Sequence, residues 1–240
     1  MILPGGRTNN CAHRGASGQA PENTLGALIR ATALGADMAE IDVRLTADGR
    51  LAVIHDATLE RTTDGAGRVA ARTMAELAKL DAGAWFGPEW AGERVPELGD
   101  VLRWAGGHLR LNIELKPDDR PEAMLDELLR QLARHDLAHR CVVTSFDTDL
   151  VDELKARAPA QAVGYIFGAA GLPDRAFSAK VEVLSAEHSL VDAAFCESAT
   201  AAGKSVHVWT VDDPAQMRHF QVLGVEAIIT NHPERFPARR

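Results

Sequence analysis

Three features of this 240-residue chain predict an α/β fold, a (β/α)₈ TIM barrel carrying a small insertion subdomain after the second strand. Strand-like apolar runs alternate with helical runs along most of the chain, which implies a parallel sheet. About eight such repeats remain once one short paired segment is set aside as a hairpin extension, and that number favours a closed barrel. The alternative is an open doubly wound sheet, but no glycine-rich G-x-G-x-x-G turn follows the first strand.

The strands are predicted at 10–12, 38–45, 51–55, 111–115, 141–145, 162–167, 181–185, 205–209 and 227–230, with 51–55 as the hairpin extension. Helices are predicted at 24–34, 97–104, 121–135, 149–157, 191–202 and 214–223. Asn23-Thr24 can cap the first helix, after Pro21 ends the preceding loop. Gly35 and Gly203 follow helical runs, where a left-handed residue closes the helix. Asp48-Gly49 between alternating segments signals a hairpin. In the second strand Glu40, Asp42 and Arg44 share one face, and Ile41, Val43 and Leu45 share the other. Residues 57–96 break the rhythm with glycines, charges, Trp85 and Trp90, and a connection this long is usually functional. We read it as a subdomain inserted at the barrel mouth within a single domain spanning 1–240.

A 46% apolar and 25% charged composition is ordinary for a globular chain able to bury a full core. The net charge of −8 disfavours nonspecific binding to nucleic acid or anionic membranes. Cys11, Cys141 and Cys196 are odd in number and far apart, which argues against a disulfide framework or a thiolate zinc site and points to a reducing compartment. The opening Met-Ile-Leu-Pro-Gly-Gly lacks a basic region followed by a long apolar core, and no apolar run reaches bilayer length. A cytoplasmic protein without stable membrane insertion is expected; the sequence leaves its oligomeric state open.

The candidate chemistry lies at predicted strand ends. Glu40 and Asp42 project to one side of their strand, and two buried like charges conflict unless something offsets them. One Mg²⁺ or Ca²⁺ would, since both ions take oxygen ligands, and Glu114 offers a third carboxylate on the next core strand. The bland alternative is a solvated strand face, or salt bridges to Arg44 and Lys116. His13 and His55 suit general acid–base work because imidazole titrates near neutrality. Arg14 and Lys116 are placed to grip an anionic substrate, or else to pair with the same carboxylates. Trp209 ends its strand and either walls the pocket or fills the barrel top. The other seven histidines have no comparable company, with His188 and His207 held open because they lie near later strand ends.

These residues fall into a pattern. His13-Arg14-Gly15, Pro21-Glu22-Asn23-Thr24, Glu40-x-Asp42-Val43, Asp48-Gly49, His55-Asp56 and Arg61-Thr62-Thr63 come in order. Asn112-Ile113-Glu114-Leu115-Lys116, Ser145-Phe146-Asp147, Trp209-Thr210 and Thr230-Asn231-x-Pro233 continue it. The whole resembles the glycerophosphodiester phosphodiesterase family over nearly the full chain. The resemblance implies a TIM barrel with a small insertion, Glu40, Asp42 and Glu114 as metal ligands, His13 and His55 as the acid–base pair, and Arg14 and Lys116 as phosphate contacts. It further implies a small-molecule glycerophosphodiester substrate, attacked first by its own 2-hydroxyl through a cyclic phosphate that water then opens. Two positions depart from the family pattern: Asn231 stands where aspartate is common, and Asp212 where asparagine is usual. Two other readings are a lysophospholipase D-type enzyme, with Trp85, Phe86 and Trp90 facing a lipid tail, and an inactive metabolite-binding barrel.

Overall fold

The computed structural model describes residues 7–237, so the N-terminal stretch read above for a leader lies outside the described residues. The strands are β1 (Asn9–His13), β2 (Met38–Leu45), β3 (Leu51–Val53), β4 (Arg110–Leu115), β5 (Cys141–Ser145), β6 (Ala162–Phe167), β7 (Val183–Glu187), β8 (Ser205–Trp209) and β9 (Ala227–Thr230). The helices are α1 (Leu25–Ala33), α2 (Met74–Leu77), α3 (Leu98–Ala105), α4 (Pro121–His135), α5 (Thr148–Arg157), α6 (Ala193–Ala201) and α7 (Pro214–Leu223). Going round the ring, the strand order is β1-β9-β8-β7-β6-β5-β4-β2, and a parallel β1–β2 pairing closes eight strands into a barrel. β3 stands outside that ring, antiparallel to β2.

Local chemistry explains the elements that matter for the site. Thr24 caps α1 by accepting the Ala27 N–H, and Gly26, Ala27, Leu28 and Ala31 form its buried face. The small residues let the β1–α1 loop pack closely: a Cβ at Gly15 would stand 2.7 Å from Ala27, and Gly15 is left-handed at φ +79°. In α3 the apolar residues Leu98, Val101, Leu102 and Ala105 repeat at helical spacing and bury completely against the barrel. Burying each of these leucines stabilises the fold by about 1.5–3 kcal/mol. Asp213 caps α7 through the Ala215 and Gln216 N–H groups, and Gly224 at φ +76° ends that helix.

The structure corrects two boundaries and bears out the lack of a predicted helix between β6 and β7. The strand expected at 181–185 begins at Val183, because Val181 is buried in a turn without belonging to the strand. No α-helix crosses between β6 and β7, where residues 168–182 form turns. The hairpin arm expected to reach 55 ends at Val53, leaving His55 beyond its last ladder pair. The segment 57–96 holds a small core of its own, formed by Leu59, Val69, Met74, Leu77, Ala82 and Val95 together with Ala52 and Ile54. Among the described residues, no helix is long and apolar enough to cross a membrane.

Candidate active site

Strand parity and register assemble the carboxylates. His13 lies opposite Glu40 in the β1–β2 pairing, and Asp42 lies opposite Glu114 in the β2–β4 pairing. Glu40, Asp42 and Glu114 all face the lumen, are buried, and each offers one oxygen within 4.8 Å of the others. Glu40 Oε1 is buried with no partner, and Asp42 Oδ1 and Glu114 Oε1 are buried facing only the Lys116 ammonium. Burial, then the charges of Asp42 and Glu114, push the Glu40 carboxyl well above the usual carboxylate range. Burial and Asp42 push Glu114 up to about 7, with Lys116 opposing. Burial works against ionisation at Asp42 too, but Lys116, Arg14 and the Asn23 amide overcome it and hold the group low. One firmly charged carboxylate between two frustrated ones, with three carboxylate oxygens converging and one of them unpartnered, fits a divalent cation that takes oxygen donors.

Arg14 and Lys116 both line the cavity above this cluster, and both pair with it. Arg14 Nε lies 3.3 Å from Asp42, and its Nη1 donates to Glu22 at 2.8 Å. Lys116 Nζ lies 3.2 Å from Asp42 and also contacts Glu114. Arg14 is left-handed at φ 54°, a conformation costing about 1–2 kcal/mol in a residue with a side chain. Its N–H donates to Glu40 at 3.0 Å and its carbonyl accepts the Asn23 N–H at 2.9 Å, which offsets that strain. Asn23, read from sequence as part of the helix cap, instead grips Asp42, donating from Nδ2 to Oδ2 at 2.9 Å and accepting the Asp42 N–H at 3.1 Å. Arg44 pairs with none of these acids; its Nε donates to the His55 carbonyl at 2.7 Å and holds the arm in place.

The two histidines have different supports. His55 Nδ1 lies 2.6 Å from Asp56 Oδ1. Asp56 is held well below the usual carboxylate range, first by the hydrogen bonds of Arg61 and then by His55, although burial opposes them. Arg61 also clasps Glu22 at 2.7 and 2.9 Å, so a polar chain runs from Arg14 through Glu22 and Arg61 to His55. His13 Nδ1 instead lies 2.7 Å from the Asn231 side-chain oxygen. Asn231 donates its N–H and its side-chain Nδ2 to Asp212, each at 2.8 Å. The two positions that depart from the family pattern thus touch each other, with acid and amide exchanged. Burial lowers the pKa of both histidines; Arg14 adds to this at His13, while Asp42 and Asp56 oppose it at His55.

Seven of the eight residues singled out from sequence, His13, Arg14, Glu40, His55, Glu114, Lys116 and Trp209, surround one cavity of about 210 Å³, and Asp42 lies buried beside them. Asn112, Phe146, Ile166, Ser185, Thr210 and Ile229 complete the wall. Trp209 donates to the Ser185 carbonyl at 3.1 Å, Phe146 stands edge-on to it, and Lys116 lies 5.8 Å from the Phe146 ring centre. Asp56, Phe146, Asp212 and Asn231 have no assigned role at the site in the sequence analysis, and Asn23 has only that of a helix cap. The adjacency of His55 and Asp56 was a usable signal, whereas nothing local links Asn231 to His13, 218 residues away. Trp85 and Trp90 each meet Phe86 edge-to-face and line no part of the cavity, so the three offer no support for a lipid-tail surface there.

A model of the glycerophosphoryl diester phosphodiesterase family matches residues 13–235. The chain belongs to this family. It is 36% identical over 227 residues to a glycerophosphodiester phosphodiesterase of Caldanaerobacter subterraneus subsp. tengcongensis, covering 93% of each chain. Among solved structures of the family, it resembles an Oleispira antarctica phosphodiesterase in complex with the product sn-glycerol-3-phosphate (TM-score 0.87, 34% identity, 94% of this chain and 93% of that one). It also resembles a glycerophosphodiester phosphodiesterase of Agrobacterium tumefaciens (TM-score 0.84, 31% identity, 95% and 98%).

Proposed function

We propose that this protein hydrolyses glycerophosphodiesters to sn-glycerol 3-phosphate and an alcohol, as one barrel domain with the 57–96 insertion, using one Mg²⁺ or Ca²⁺ and two histidines. The observation that carries this reading is that His13, His55 and the Glu40–Asp42–Glu114 cluster meet at one cavity. Glu40, Asp42 and Glu114 would hold the cation, which when bound supplies charge for a non-bridging phosphate oxygen and for the glycerol hydroxyls. Arg14 and Lys116 stand beside that position as cations for the phosphate, and Trp209 walls the glycerol side.

The supports of the histidines divide their roles. Because Asn231 spends its amide N–H on Asp212, its oxygen faces His13, so His13 donates from Nδ1 and presents a bare Nε2. That tautomer is a base: it takes the proton of the attacking hydroxyl as the new P–O bond forms. His55 rests on an ionised Asp56, which stabilises its imidazolium and suits it to hand a proton to the departing alcohol oxygen as that P–O bond breaks. In the second step the two exchange roles and water is the nucleophile. Three free, buried cysteines are in keeping with a reducing, cytoplasmic setting.

The test is release of sn-glycerol 3-phosphate from a panel of glycerophosphodiesters, with lysophosphatidylcholine alongside, in EDTA and with each ion added back. Metal-dependent release from the water-soluble diesters is expected. Full turnover in EDTA removes the metal from the reading, and preference for the lysolipid replaces the substrate.

A further inference from the structure

The barrel has a second opening at the opposite pole, where its strands begin. A cavity of about 240 Å³ lies there, walled by Met38, Arg110, Cys141 and Ala162 at the starts of β2, β4, β5 and β6. It shares no lining residue with the active-site cavity. His207, two residues before Trp209 on the lumen face of β8, reaches it from above. This histidine is completely buried, and neither ring nitrogen has a hydrogen-bond partner. Buried polar groups in folded proteins are satisfied, so an imidazole bordering a cavity with neither nitrogen bonded calls for a polar guest.

The charges around it say which kind. Arg110 bonds only the Met38 sulfur, at 3.9 Å, and Arg140 only the Gly106 carbonyl, at 2.6 Å. Among the described residues neither guanidinium has a carboxylate partner. Glu182 is already taken by Lys155 and by the Val163 N–H, whereas Glu226 Oε2 is buried without a partner. The open groups are therefore two guanidiniums, one carboxylate and one neutral imidazole, with one positive charge in excess. Liquid water occupies about 30 Å³ per molecule, so the space admits an ion of several heavy atoms together with solvent.

We propose that this pole of the barrel binds a small hydroxyl-bearing oxyanion, a hydrogen phosphate or a phosphate monoester. Its acidic oxygens meet Arg110 and Arg140, and its hydroxyl bonds His207 or Glu226. The site is independent of the active-site assignment, and its test reads a different residue.

Metal-free protein in EDTA is titrated with inorganic phosphate and, separately, with sn-glycerol 3-phosphate, following the His207 ring resonances by nitrogen-15 NMR; loss of these peaks in His207→Gln assigns them. A saturable movement of the His207 peaks is expected, with a midpoint distinct from any change at His13 or His55. Arg110→Ala weakens it by about tenfold or more, the scale of one lost charge-assisted bond, while turnover stays at the wild-type level and reports an intact fold. If Arg110→Ala loses turnover, Arg140→Ala at the cavity edge takes its place. Movement with phosphate alone restricts the guest to the inorganic ion, and movement with both extends it to monoesters. Peaks that stay still with both ions show a water-filled cavity, and peaks that move equally in the arginine variants show that the guanidiniums do not hold the ion; either result overturns the proposal.

Discussion

Two halves of the barrel mouth carry opposite chemistry. The side built from β1, β2 and β4 presents His13, Arg14, Glu40, Asp42, Glu114 and Lys116, whereas the side built from β5, β6, β8 and β9 presents Phe146, Ile166, Trp209 and Ile229. The polar side holds more buried charge than its own partners satisfy, and two of its carboxyls are pushed up as a result. The apolar side makes no such demand. Its buried members, Ile166 and Ile229, lower the local dielectric and so strengthen the charge interactions facing them. Chemistry and stability are thus drawn from different arcs of one ring.

The sharpest way to break this division is to remove the cation. Chelation should take turnover to background, with Mg²⁺ or Ca²⁺ restoring it; an unaffected rate would mean that the polar arc works through its protein charges alone. Next in size, His13→Ala and His55→Ala should each lower kcat by at least ~10²-fold in folded protein, the usual scale of acid–base catalysis. Near wild-type turnover in either purified variant would remove that histidine from its role.

A smaller effect tests the support of His13. Asp212→Asn frees the Asn231 amide to rotate, so kcat should fall by about tenfold, or about 1.4 kcal/mol, with KM little changed. The double variant Asp212→Asn/Asn231→Asp restores an acid–amide pair and should recover the rate; failure to recover would mean that Asp212 acts other than through Asn231. On the apolar arc, Phe146→Ala should raise KM by about three- to tenfold, or about 1 kcal/mol, with a lesser change in kcat. A collapse of kcat there would erase the contrast between the arcs.

The smallest expected effect is on stability. Glu114 has a folded pKa of about 7, above its unfolded value, so its favourable contribution is present below the ordinary carboxylate range and is lost as pH rises through about 7. In metal-free protein Glu114→Gln should therefore melt higher than wild type at pH 8, by about 2–4 °C per kcal/mol in a chain of this size. The gain should vanish as pH falls to about 3, below the ordinary carboxylate range, where the wild-type carboxyl is neutral in both states. A gain that is the same at every pH would point to packing and not to charge.

Much of the polar arc was legible in the sequence, because strand periodicity alone puts Glu40 and Asp42 on one face and barrel order brings Glu114 beside them. The hairpin, the Thr24 cap and the glycine helix ends were legible for the same reason: each is a short-range device. The supports were not. Asn231 and Asp212 reach His13 only because β9 returns to pair with β1, a closure that no local pattern records. Asn23 looked like a cap because it precedes a helix, yet its amide is spent on Asp42. Val181 reads as strand because buried turns and buried strands share the same apolar residues.

The short arm β3 has a consequence of its own. The acidic cluster of Glu40, Asp42 and Glu114 and His13 are rooted in the closed ring, but His55 hangs from a hairpin outside it, aimed by the turn at residues 46–50 and steadied by Arg44. Each added strand residue would advance the arm by about 3.3 Å, enough to carry the imidazole out of reach of a departing oxygen while the ring stayed as it was. The two proposed proton-transfer groups are therefore mounted on separate pieces of chain. A change in the length of one hairpin would move His55 against His13 without reopening the barrel.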